Sequence, residues 1–116
     1  MRRRSLALCT CLTAAALLSG CATAYKSFYR ETDHRTKPAP VPAQDVRVVK
    51  SKDDLEQAWS EIGTYRGHAP TVKEAMEAAK NACGNAGSDF FILYTDPYEA
   101  RGVWKVDGIC AIKASG

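Results

Sequence analysis

The chain has 116 residues, enough for one folded domain, and 46% of them are hydrophobic. Its formal charge of +3 reflects 16 Lys and Arg against 13 Asp and Glu. Three of the basic residues are Arg2, Arg3 and Arg4, so the rest of the chain carries as many acidic as basic residues. This balance predicts no basic footprint and argues against a nucleic-acid-binding protein.

Residues 1–20 have the pattern of a secretory signal. The three arginines precede an uncharged apolar stretch over residues 6–18. That stretch is shorter than the roughly 20 apolar residues needed to span a bilayer, and its length is typical of a signal peptide.

The signal ends in Leu18-Ser19-Gly20-Cys21, which resembles the lipobox of bacterial lipoproteins. The resemblance implies cleavage before Cys21 and acylation of both its thiol and its amino group. Several acyl chains hold a protein firmly on a membrane. Ala22, rather than Asp, after the cysteine implies the periplasmic face of the outer membrane. The alternative is an ordinary signal peptide in which Cys21 is incidental.

Residues 21–45 are predicted to be the lipidated cysteine and a Pro-rich tether. "KPAPVPAQ" contains three of the five prolines, which favour extended conformations. Upstream, "AYKSFYR" mixes aromatic and basic side chains that suit a lipid headgroup zone. A leader without any such contact is the alternative.

Residues 46–114 are predicted to be a globular domain. "VRVVK" alternates as a strand does, and Ser51 with Asp54 could begin a short helix. Leu55, Ala58, Trp59 and Ile62 would share one face of that helix. "IGTYRG" is the second strand candidate.

The main helix follows, over "TVKEAMEAAKNACGNAG". Thr71 and Glu74 form a capping box, apolar residues recur every three or four positions, and Gly87 ends the helix. "FFILY" and "GVWKVDGICAIKA" complete the domain as strands. The predicted fold is α+β, with about four antiparallel strands in the order β-β-α-β-β and one helix on one face.

Cys83 and Cys110 are the cysteines left after residue 21. The first lies on the apolar stripe of the helix and the second on the apolar face of the last strand. A helix packed on that face would bring them together in an oxidising compartment, which predicts a disulfide. Two buried free thiols are the alternative.

The element order, with "VRVV", "EIGTYRG" and "EAMEAAKNACGNAGSDFFILY", resembles RcsF-type outer-membrane lipoproteins over about residues 18–113. The resemblance implies an envelope-stress sensor that contacts barrel proteins and signals to an inner-membrane regulator. RcsF-type domains carry two disulfides and a longer tether, and this chain departs from both features.

Catalytic and metal motifs are missing from the sequence. His34 and His68 are predicted to be solvated loop residues, and Asp53 with Asp54 suits a helix start rather than a metal. The sequence therefore predicts a non-enzymatic interaction module without a cofactor, with an RcsF-like sensor and a carrier of a small ligand or metal as alternatives.

One strand raises the question of a partner. "FFILY" is apolar on both faces, whereas one helix covers only one face of the sheet. The segment 51–62 could cover the second face through Leu55 and Trp59. Otherwise we expect a surface near Tyr94, Tyr98 and Val103 to bind an envelope protein.

Overall fold

The computed structural model describes residues 24–32 and 38–114. The signal peptide, Cys21 and His34 lie outside these ranges. Within them, no helix is both long enough and apolar enough to cross a membrane. The elements are β1 (Lys26–Glu31), a 3₁₀ turn (Ala43–Asp45), β2 (Arg47–Val49), a second 3₁₀ turn (Lys52–Asp54), β3 (Trp59–Ala69), α1 (Val72–Asn85), β4 (Phe90–Leu93), β5 (Tyr98–Ala100) and β6 (Val103–Lys113).

The strands form one mixed sheet in the order β1-β3-β6-β4-β2, and β5 also pairs with β6. β2 runs parallel to β4, and the other pairings are antiparallel. The predicted α+β class, with one helix on the sheet, is confirmed. The prediction of about four antiparallel strands is corrected to six strands in a mixed sheet. β1 comes from the segment predicted to be the tether, and β5 from residues between "FFILY" and the last strand candidate that were given no element.

The first correction concerns the tether. Lys26–Glu31 pairs antiparallel with β3, each residue opposite one between His68 and Gly63. The ring of Tyr29 lies where a Cβ of Gly63 would be, so this glycine lets the two strands approach. Further along, Val41 N donates to the carbonyl of Gly84 at 2.8 Å. The described parts of the 21–45 segment are therefore packed on the domain rather than extended away from it.

The second correction concerns residues 51–62, which do not form a helix. Only the 3₁₀ turn Lys52–Asp54 forms, and the Ser51 hydroxyl accepts from Asp53 N at 3.2 Å. Leu55 and Trp59 pack on one side of the sheet, whereas Ile62 packs on the other. Residues on one face of a helix would all pack on the same side of the sheet, whereas these residues pack on both sides. The chain instead forms strand β3 from Trp59 onward.

The main helix forms as predicted. The Thr71 hydroxyl accepts from Glu74 N at 3.2 Å and lies 3.0 Å from the Glu74 carboxylate. Gly87 adopts φ +90°, a left-handed conformation that suits glycine after the last turn. Ala75 and Ala79 are fully buried, so small side chains let the helix lie close to the sheet.

Two apolar layers lie on opposite sides of the sheet. The helix side contains Tyr65 and Phe91, whose rings meet edge to face at 5.9 Å between centroids. The Cys83–Cys110 disulfide joins α1 to β6 in this layer, with 5.3 Å between the Cα atoms, which confirms the predicted pairing. The other layer is made by Val49, Leu55, Phe90, Ile92, Ile109 and Ala111, with Trp59 packed against it.

Candidate binding face on the helix-distal side of the sheet

The side of the sheet that faces away from α1 is covered along only part of its length. Side chains alternate between faces along a strand, so directly paired residues share a face. Leu55 and Trp59 lie over Ile92 and Ile109 at one end. The prediction that segment 51–62 covers this face is therefore confirmed for that end. The other end is open.

The open end is organised in rows that cross the strands. In the first row, Lys26, His68, Lys105 and Tyr98 lie side by side on β1, β3, β6 and β5. In the second row, Phe28 lies opposite Arg66, and Arg66 lies opposite Asp107. Arg30 begins the third row, opposite Thr64. The name cationic sheet face denotes these rows and the adjacent Tyr94.

Two shallow grooves run across the cationic sheet face, with volumes of about 640 and 240 Å³. Lys26, His68, Lys105 and Tyr98 line the larger one, whereas Arg30, Thr64 and Tyr94 line the smaller. Phe28, Arg66 and Asp107 line both. The side chains of the second row therefore form the ridge between two neighbouring depressions.

Positive charge dominates this face. Its three rows contain four Lys or Arg side chains and one carboxylate, that of Asp107. A second carboxylate, that of Glu61, lies at the margin of the face near Tyr94. Arg66 Nε lies 3.8 Å from Asp107 Oδ1, but the Arg66 side chain is 84% exposed. Such an exposed pair is weak, so the guanidinium remains available to an anion. The balanced total charge gave no sign of this cluster, because its four cations come from β1, β3 and β6 and meet only through strand pairing. The expectation that the chain does not bind nucleic acid stays a prediction.

Exposed aromatic side chains accompany the cations. Phe28 is 58% exposed, Tyr94 57% and Tyr98 45%. Partial burial of the Tyr94 phenol, with the carboxylates of Glu61 and Asp107 nearby, raises its pKa, against an opposing effect of Arg66. Its hydroxyl is therefore protonated at neutral pH and can donate a hydrogen bond.

The beginning of the described chain is attached to the same face. His68 lies on β3, half-buried, with Nδ1 3.1 Å from the carbonyl oxygen of Ala24. The prediction of a solvated loop histidine is therefore wrong. Next along the chain, the Tyr25 hydroxyl donates to Glu74 Oε1 at 3.0 Å. Glu74 belongs to α1, so this second contact lies on the helix side of the sheet. Together the two contacts fix the entering chain at the edge of the sheet, next to the first row.

The residues predicted as a partner surface are only partly brought together. Tyr98 lines the larger groove and Tyr94 the smaller, so both belong to the cationic sheet face. Val103 is half-buried opposite Ala100 at the β5–β6 turn and lines neither groove. Lys26, Phe28 and Arg30 belong to "AYKSFYR", which was expected near lipid headgroups, and they alternate as residues on one strand face do. Arg66 and Lys105, which β3 and β6 bring beside them, were not singled out from the sequence.

The arrangement is suited to binding anionic and apolar groups. Spaced cations attract anionic groups, and the exposed rings offer apolar and cation–π contacts. In the described part of the chain, His, Cys, Asp and Glu nowhere gather in a group of three that could hold a metal ion. Asp53 and Asp54, the acidic pair singled out above, lie exposed in a 3₁₀ turn.

Comparison with known proteins gives one structural likeness. No family model and no curated protein sequence matches the chain. The fold is similar to that of the Francisella virulence factor FvfA in its orthorhombic crystal form, with a TM-score of 0.55 and 15% sequence identity. The match covers 78% of this chain and 99% of the other. At this identity the likeness concerns the fold alone.

Proposed function

We propose that this protein is a lipid-anchored, non-enzymatic interaction module of the bacterial envelope. Cys21 would carry the anchor at the periplasmic face of the outer membrane, and the cationic sheet face would bind another envelope component. The lipobox-like segment, Leu18 to Cys21, supports the anchor. The cationic sheet face carries the binding role, because it combines segregated positive charge with exposed rings on an otherwise balanced chain.

The anchor is tested by metabolic labelling with a fatty acid analogue. We expect the label to enter the wild-type protein and co-fractionate with outer membranes. Cys21→Ser should lose the label, because serine lacks the thiol that accepts the lipid. Labelling that persists in Cys21→Ser, or a soluble wild-type protein, would contradict the proposal.

The binding role is tested by crosslinking in intact cells, followed by purification under denaturing conditions. The test variant combines Phe28→Ser with Arg66→Gln, which removes one ring and one cation from the face. The matched control combines Val72→Ser with Lys73→Gln on α1, where both residues are also exposed. We expect the test variant alone to lose the crosslinked component. Equal recovery with both variants would show that the face does not bind it.

A further inference from the structure

We propose that the cationic sheet face docks on the anionic phospholipid headgroups of the membrane that holds the anchor. This inference rests on the proposed acylation of Cys21. It goes further by naming the binding partner and by fixing the orientation of the domain. The first row of the face would lie against the headgroups, and α1 would point away from them.

The first argument is the short chain between anchor and face. Ala24 is fixed beside the first row by the contact of its carbonyl oxygen with His68 Nδ1 at 3.1 Å. Three peptide units separate Cys21 from Ala24, so their Cα atoms lie at most about 11 Å apart. The headgroup layer is itself several ångströms thick. An acylated Cys21 therefore holds the first row within reach of the headgroups.

The second argument is charge complementarity. Lys26 and Lys105 flank His68 in the first row, and Arg30 and Arg66 follow in the next two rows. Long basic side chains close to an anionic leaflet each strengthen binding about fivefold. The negative charge of Asp107 is partly balanced by Arg66 at 3.8 Å. The face as a whole is thus attracted to anionic lipid.

The third argument is the kind of apolar group present. The exposed aromatic residues of the face, Phe28, Tyr94 and Tyr98, stand singly among the cations. Isolated rings next to Lys and Arg are typical of membrane interfaces. The core of a protein–protein interface, in contrast, is depleted in Lys and other charged residues. These features favour a lipid surface over a protein partner.

The in-cell test places a photo-crosslinking phenylalanine analogue at Phe28 or, as a control, at Val72 on α1. Acylated protein is purified and its adducts are identified by mass spectrometry. We expect phospholipid adducts from position 28 and few from position 72. Lys26→Gln with Arg30→Gln should lower the ratio of docked to undocked domain by about 25-fold, from about fivefold per cation. Lys73→Gln with Lys80→Gln on α1 removes the same charge and should leave the ratio unchanged.

A second measurement uses the acylated protein in vesicles of phosphatidylcholine, with or without phosphatidylglycerol. The amides of β1 that bond to β3 are protected in either case. We expect the strand to gain additional protection from hydrogen exchange only when phosphatidylglycerol is present, and this gain to weaken with added salt. Equal protection in both vesicles would overturn the inference.

The possible failures are distinguishable. Protein or nucleic-acid adducts alone at position 28 would overturn lipid docking but leave an anchored interaction module. Equal lipid adducts at positions 28 and 72 would show that the domain has no fixed orientation, which also overturns it. A mature protein without acyl mass on Cys21 would refute the anchor itself, and this inference with it.

Discussion

Removal of the disulfide gives the most quantitative test of the fold. Cys83 and Cys110 are fully buried, and 27 positions separate them in the chain. In the chain-entropy model, closing a loop of this length stabilises the folded state by about 3.5 kcal/mol. A domain of this size has a total stability of roughly 5–12 kcal/mol. The Cys83→Ala/Cys110→Ala variant should therefore lose a large fraction of it.

Urea unfolding followed by circular dichroism measures the loss. We expect the midpoint of the double variant to fall by about 2 M relative to the oxidised wild type. Wild-type protein that has been unfolded and reduced serves as the control, because it lacks the crosslink but keeps both side chains. It should unfold close to the double variant. A double variant within about 1 kcal/mol of the oxidised protein would refute the reasoning that the crosslink stabilises this small domain.

Three further predictions concern single side chains. Gly108→Ala should destabilise by about 3 kcal/mol in urea unfolding, and more than Gly63→Ala. Its Cβ would meet the backbone of Ile92 as well as the ring of Phe91, whereas a Cβ at Gly63 meets the ring of Tyr29, which can move. Thr71→Ala should cost about 1 kcal/mol of helix capping in the same assay, and Thr71→Ser should restore it. Burial raises the pKa of the Tyr65 phenol above its ordinary value of 10.0. A hydrogen bond from Ser27 opposes this rise, and the negative charge of Asp107 adds to it. As pH rises, the phenol ionises in the unfolded state before it does so in the folded state, so the free energy of unfolding falls through pH 10 and beyond. Thermal melts should show a smaller fall in melting temperature over this range for Tyr65→Phe than for the wild type.

Local signals predicted the helix and the crosslink well. A capping residue, small apolar residues at helical spacing and Gly87 all act within one segment, so the sequence around Thr71 is sufficient. The disulfide followed from two periodic patterns, because each placed its cysteine on an apolar face. Both predictions depended on geometry that is decided within a few residues.

The strand β1 could not be predicted in the same way. Its stability comes from pairing with β3, which lies more than 30 residues later, and from the ring of Tyr29 over Gly63. The nearby prolines gave this region the composition of a tether. The cationic sheet face was missed for the same reason, since its rows exist only after distant strands have paired. A balanced total charge gave no sign of this segregation.

The close contacts of the glycines have a consequence for sequence divergence. A side chain at Gly63 requires Tyr29 to shrink or to move, and one at Gly108 meets Phe91 as well as the backbone. We therefore expect Gly63 and Tyr29 to change together among relatives, whereas Gly108 should remain glycine because a smaller residue at position 91 would not move the backbone of Ile92. Distant members of this fold should therefore keep a glycine at position 108 and either both or neither of Gly63 and Tyr29, even where overall identity is low.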